Sequence, residues 1–262
     1  MANLIRSPKA GSDWTGNDLA AYNIQMRLES AASFFGDHTM PPPNVDQEIL
    51  TTQNAQDMYF DRNAELINLL DLAMSSMSAE DSAVDDFAVE LLKHLGYVKR
   101  HRIARTRKDI PFYVCGEWTH AETDVCLLDR QQNDILLLVQ EDERSQPEHP
   151  RDPGPQLVAK AIAAFDYNNS LRQATGQATV DSKVMAGIAL LGTMPTFYKI
   201  PVTAGLVRDV HYGAYPSKPT TVSVHVPELP SPAGRYSEGM KPLDNRQAVL
   251  RCYEAFKGSV GI

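Results

Sequence analysis

Residues 123–143 read TDVCLLDRQQNDILLLVQEDE. Thr123 to Leu128 and Ile135 to Glu141 are short aliphatic-rich runs on either side of the polar turn Gln131-Gln132-Asn133-Asp134, which predicts two strands. The second run is apolar on both faces and ends in acids, the pattern of a central strand. After a polar loop with three prolines, Gln156 to Tyr167 returns to helical spacing. Leu157, Ala161 and Phe165 share one face, with Val158 and Ile162 beside them. Strand, loop and helix in that order make an α/β unit.

Working outward, Leu66, Leu69, Leu70, Leu72 and Met74 keep helical spacing over Asp61 to Met77. A second helix is expected after Ser78, where Ser78-Ala79-Glu80-Asp81 offers a serine cap with an acid following. Along it Val84, Phe87, Leu91 and Leu95 form a buried face, Asp86 and Glu90 stand one turn apart, and Gly96 ends it. Strands are also expected at Phe112–Cys115, Val184–Leu191, Thr196–Val202 and Thr220–Val226, with a last helix over Leu243–Gly258. Residues 1–45 carry one amphipathic stretch near Asn17 to Ser30 and then break at Pro41-Pro42-Pro43. The expected architecture is α/β: a mixed central sheet over about residues 98–227 flanked by helices, and a C-terminal helix. Residues 1–77 would be an N-terminal helical arm or cap packed on a core of 78–262.

The 262 residues are 43% hydrophobic and 22% charged, an ordinary globular composition with material for a sizeable core. Cys115, Cys126 and Cys252 have neither disulfide-framework nor zinc spacing and are read as reduced thiols. With no apolar stretch of signal-peptide or membrane-span length, an intracellular location, cytoplasmic or nuclear, is expected. The net charge of −8 excludes a uniformly basic nucleic-acid binder. Yet residues 99–108, KRHRIARTRK, hold six Lys or Arg and no acid, so the other 252 residues carry −14, the difference between −8 and +6. Lys99, Arg100, Arg102, Arg105, Arg107 and Lys108 therefore form a basic ribbon. It fits a phosphate backbone, and equally a charged edge strand protected from aggregation.

Asp124 and Glu141 are the most informative acids. If their strands pair, two carboxylates meet at the end of apolar strands. Like charges that close are tolerated around a divalent cation, and hard oxygens suit Mg2+ or Mn2+. Such a cation can activate water and neutralise charge on a phosphodiester. Competing motifs are incomplete: His120-Ala121-Glu122 lacks the P-C-x-x-C partner of a zinc deaminase. There is no G-x-S-x-G, no G-x-x-x-x-G-K and no G-x-G-x-x-G.

A helix with an internal acid (FAVELLKHLGY), a strand bearing aspartate (ETDVCLLD), a strand ending in acids (ILLLVQEDE) and a following helix (QLVAKAIAAF) resemble the PD-(D/E)XK nuclease superfamily. That resemblance covers about Ser82 to Ala204. Over the whole chain, WTGNDLAAYN, GTMPTFYKIPVT and GMKPLDNRQAVLRCYEAFK resemble an uncharacterised fungal protein family. The superfamily resemblance implies a restriction-endonuclease-like core. Asp124 would be the motif aspartate, Glu141 the first acid of its (D/E)xK element, and Asp142 a carbonyl ligand to the metal. Glu90 would be the helix acid. The sequence departs from the pattern at Glu143, which stands where the superfamily has lysine and reverses the charge. Lys160 on the following helix is the residue that would replace that lysine; a plain Glu143–Lys160 ion pair is the alternative. The resemblance implies a metal-dependent nuclease of DNA or RNA, with a degenerate active site as one form of it. The alternative is an inactive nuclease-fold module that binds nucleic acid, a protein partner or a second copy of itself.

Overall fold

In the computed structural model, which describes residues 6–36, 39–75, 82–141, 152–235 and 237–262, the chain begins with α1 (Gly16–Ala21), β1 (Ile24–Leu28), α2 (Ala31–Phe35), α3 (Gln47–Thr51), α4 (Asp61–Ala73) and α5 (Ser82–His94). Next come β2 (Arg102–Lys108), β3 (Pro111–Val114), β4 (Glu117–His120), β5 (Thr123–Asp129), β6 (Ile135–Glu141) and α6 (Pro153–Ala174). The remainder is β7 (Ser182–Leu191), β8 (Met194–Thr203), α7 (Ala204–His211), β9 (Thr220–His225) and α8 (Leu243–Val260). Seven strands form one mixed sheet in the order β1-β9-β8-β7-β6-β5-β2, and β3–β4 is a separate hairpin. The fold is thus α/β with a large mixed central sheet flanked by helices.

The order around β6 follows from its sequence. Apolar on both faces, β6 must be covered on both, and it lies between antiparallel β5 and parallel β7. The parallel step needs a crossover, which α6 provides. Asp152 caps α6 by accepting from Gly154 N at 3.1 Å. Gly187 on β7 lets the helix lie close, because a Cβ there would stand 2.8 Å from Leu157 Cδ2. One core, with Leu157, Ile162, Cys126 and Leu138, lies under α6. The other, with Phe87, Leu91, Val125, Val139 and Phe256, lies under α5 and α8.

The N-terminal segment differs from the helical arm expected over 1–77. Its amphipathic stretch splits into the short α1 and the edge strand β1, parallel to β9. Asn23, at φ 54°, turns the chain between them. An edge strand whose only buried residue is Ile24 carries no alternation that sequence can show. Phe34, Ile49, Leu66 and Leu70 then enter the α5–α8 core, so this region shares the hydrophobic interior of 78–262. The capping sequence at 78–81 lies outside the described residues, as do Asp142 and Glu143.

Candidate functional site

β5 starts and β6 ends at the same end of the sheet, and Asp124 stands there. Its Oδ2 accepts from the Glu141 backbone N–H at 2.8 Å. Its Oδ1 lies 3.7 Å from Lys160 Nζ, whose side chain is 5% exposed while that of Asp124 is 33% exposed. The lysine expected to replace the missing motif lysine therefore does reach Asp124.

Glu141 meets Asp124 through its backbone and not its carboxylate. Val125 pairs with Val139 and both face the α5–α8 core, whereas Cys126 pairs with Leu138 and both face α6. One step further along, alternation sends Asp124 and Gln140 to the α6 face and Glu141 to the other. The expected convergence of two carboxylates at this strand pair is thus replaced by Asp124 with Gln140. Gln140 is 3% exposed and donates through Nε2 to Gln156 Oε1, while its own Oε1 is buried without a partner. Gln156 and Lys160, four residues apart on α6, present both groups from one helix face.

The helix acid is also a different one. Glu90 pairs with Lys93 at 2.8 Å, with His94 at 3.2 Å and more loosely with Arg62 at 4.0 Å. It belongs to a separate cluster farther along α5. Asp85, in the first turn of α5, is the acid that senses this site. Burial pushes its carboxyl up to about 6; the Asp124 charge adds to the rise, and Arg107 and Lys160 oppose it. Between the unfolded value near 3.8 and about 6, the folded chain binds more protons than the unfolded one, so stability falls as pH rises through this window. Asp85→Asn is expected to raise the melting temperature of metal-free protein above pH 6 and to flatten its slope between about pH 4 and 6. Parallel melting curves for the two proteins across that range would contradict this placement.

The basic ribbon forms the edge strand β2. Thr106 pairs with Val125 and Lys108 with Thr123, which brackets Arg107 opposite Asp124. Arg107 holds φ at 48°, a conformation that costs a non-glycine residue energy and recurs at functional sites. Lys99, Arg100, Arg105 and Arg107 are exposed. Arg102 instead donates to Tyr97 O at 2.9 Å, and Lys108 Nζ lies 4.4 Å from the centre of the Tyr167 ring. Four of the six cations thus face solvent along the edge.

No family model matches the chain, and no curated protein matches it.

Among the described residues, no three His, Cys, Asp or Glu side chains converge as a metal cluster. The oxygen set at this end of the sheet still suits Mg2+, which takes one or two carboxylates and fills its remaining positions with water and substrate phosphate. The Asp124 carboxylate and the unpartnered Gln140 Oε1 are hard oxygens of that kind. Arg172 is engaged away from this site: it pairs with the buried Asp134 at 2.5 Å, at the β5–β6 turn. Asp85 and Gln140 escaped the sequence reading, because the β5–β6 register alone turns Gln140 to the face of Asp124 and the packing of α5 alone sets Asp85 within reach of the Asp124 charge.

Proposed function

We propose that the chain is a metal-dependent phosphodiesterase acting on nucleic acid, built on a core of the PD-(D/E)XK nuclease kind. The observation that carries this reading is the buried ammonium of Lys160 beside Asp124 at the end of the central strands. A lysine removed from water is costly unless it meets a negative charge. Asp124 supplies such a charge, and a bound phosphate group would add a further anion beside it. The element order α5, β2, β5, β6, α6 also supports it, since a helix, an aspartate-bearing strand and a following helix succeed one another as in the resemblance, although Glu90 itself lies elsewhere.

Each residue then has a task. Arg107 and the exposed ribbon cations hold the sugar–phosphate backbone along β2. Asp124 and Gln140 Oε1 would hold Mg2+ or Mn2+, with water and substrate phosphate filling the other positions. When bound, that ion supplies a Lewis acid on the phosphate and a more acidic water. Lys160 stabilises the charge that grows on the phosphoryl oxygens as water attacks phosphorus and the P–O bond to the leaving oxygen breaks. The attacking water gives up a proton to solvent, and the leaving oxygen departs with the bond pair and is protonated by solvent.

Binding without cleavage is the second reading. It is favoured by the way Asp124 is already satisfied by Lys160 and the Glu141 N–H. The two are separated by adding Mg2+ or Mn2+ back to EDTA-stripped protein and following end-labelled single- and double-stranded DNA and RNA. Cleavage that appears with metal supports the phosphodiesterase; retention of nucleic acid without cleavage supports the binding module.

A further inference from the structure

A cavity lies at the other end of α5, about 13 Å along the helix from Asp85 at 1.5 Å per residue. It has a volume of about 250 Å³ and is lined by Asp46, Phe60, Arg62, Asn63 and His94. Two of its polar side chains are almost wholly buried: Asn63 is 4% exposed and the His94 ring 4%. His94 Nδ1 lies 3.0 Å from Glu90 O and 3.2 Å from Glu90 Oε1. Both are acceptors, so Nδ1 carries the proton. Nε2 is buried with no partner, and such an orphan in a folded protein calls for a ligand group or a water. The Glu90 carboxylate is also paired with Lys93 at 2.8 Å and more loosely with Arg62 at 4.0 Å.

The rest of the lining is mixed in a specific way. Phe60 is 53% exposed and Tyr59 beside it 86%, an edge-to-face pair with ring centres 5.0 Å apart. The Glu48 carboxylate fixes that corner by accepting from the Tyr59 and Phe60 N–H groups and from Asn63 Nδ2. Asn63 thus keeps its amide oxygen for the cavity. Asp46 uses one oxygen to cap α3 at Glu48 N, 2.9 Å away, and keeps the other. A free phosphate would meet the Asp46 carboxylate, and a metal ion would meet the Arg62 guanidinium. A planar group that carries both donors and acceptors suits all of them at once.

We infer that this cavity takes one nucleobase, from a free nucleoside or from an unpaired position in a single strand. The base stacks on Phe60, its amino or imino N–H groups face Asp46, Asn63 Oδ1 and His94 Nε2, and its carbonyl or ring nitrogen accepts from Arg62. A cavity below the roughly 300–1,000 Å³ of drug-sized sites holds the base and leaves the sugar outside. This site shares no residue with the Asp124 cluster and stands whether or not that cluster cleaves.

The test titrates the four ribonucleosides and a single-stranded tetranucleotide into the full chain in EDTA, by calorimetry and by nitrogen-15 NMR of the histidine rings. At least one nucleoside is expected to bind with a submillimolar Kd and to shift the His94 signals. Phe60→Ala and Arg62→Ala should each weaken it about tenfold or more, since base–aromatic stacking alone contributes that much. Tighter binding of the tetranucleotide identifies a strand as the source, and nucleoside binding without it identifies the free nucleoside. Absence of nucleoside binding, binding unchanged in both variants, or His94 signals that move with Zn2+ or inorganic phosphate and with no nucleoside would overturn the inference. Both substituted residues are more than half exposed, so the variants are expected to fold.

Discussion

Lys160→Met is expected to lower the rate of phosphodiester cleavage by about 10²–10³-fold, the usual cost of deleting one preorganised charge-stabilising group from an active site. Methionine keeps most of the aliphatic stem at this buried position. Asp124, one-third exposed and still bonded to the Glu141 N–H, stays solvated after the loss. A change in melting temperature of only a few degrees is therefore expected beside the large loss of rate. The discriminating measurement is single-turnover kinetics at saturating metal. A structural lysine would give the opposite split, with lost stability and a preserved rate in the fraction that remains folded.

Arg246→Leu carries the largest expected effect on stability. Arg246 is 1% exposed, yet its guanidinium meets backbone carbonyls only: Nε donates to Met240 O at 3.1 Å, Nη1 to Ile49 O at 3.0 Å and Thr52 O at 2.9 Å, and Nη2 to Gln53 O and Lys241 O, each at 3.2 Å. Burial pulls its pKa down to about 10, so it stays charged at neutral pH. Three of these five bonds join α8 to residues 49–53 and so fasten the N-terminal region to the C-terminal helix, and the other two hold the segment that enters α8. Leucine would fill part of the volume and leave the carbonyls without donors, at a cost of about 3–5 kcal/mol. At about 2–4 °C per kcal/mol for a chain of this size, the melting temperature should fall by roughly 10 °C. Arg246→Lys should recover little, because an ammonium has only three donors and no planar fork. A melting temperature within 2 °C of the native value, by calorimetry, would contradict this role.

The parts of the fold legible in the sequence are those with strong periodicity. The two-sided apolar run at Ile135–Glu141 and the stripe of α6 announced themselves, and the structure places them in the centre of the sheet and against it. The parts that stayed hidden are short or at edges. β1 buries Ile24 alone, and α7 follows β8 directly, with Thr203 ending the strand and capping the helix through Leu206 N at 3.0 Å. No break in polarity marks that junction.

At the candidate site, Asp124 and Lys160 were readable as residue types on a strand end and a following helix. Their neighbours were not. A single-residue change of face separates Glu141 from Gln140, and that depends on the Val125–Val139 register, which no local pattern fixes. Glu90 attracted notice as an acid on a helix, but the surrounding Arg62, Lys93 and His94 come from a different packing contact and give it another role.

The most direct test compares native protein with Asp124→Asn in metal-dependent cleavage of the four labelled substrates, with melting temperature measured alongside. Asparagine keeps the shape and an acceptor for the Glu141 N–H while removing the charge that faces Lys160. The expected result is cleavage by the native chain that requires Mg2+ or Mn2+, and a loss of at least about 10³-fold in the variant at a melting temperature within a few degrees of native. Equal cleavage by the two proteins, or cleavage by neither under any metal, would contradict the account.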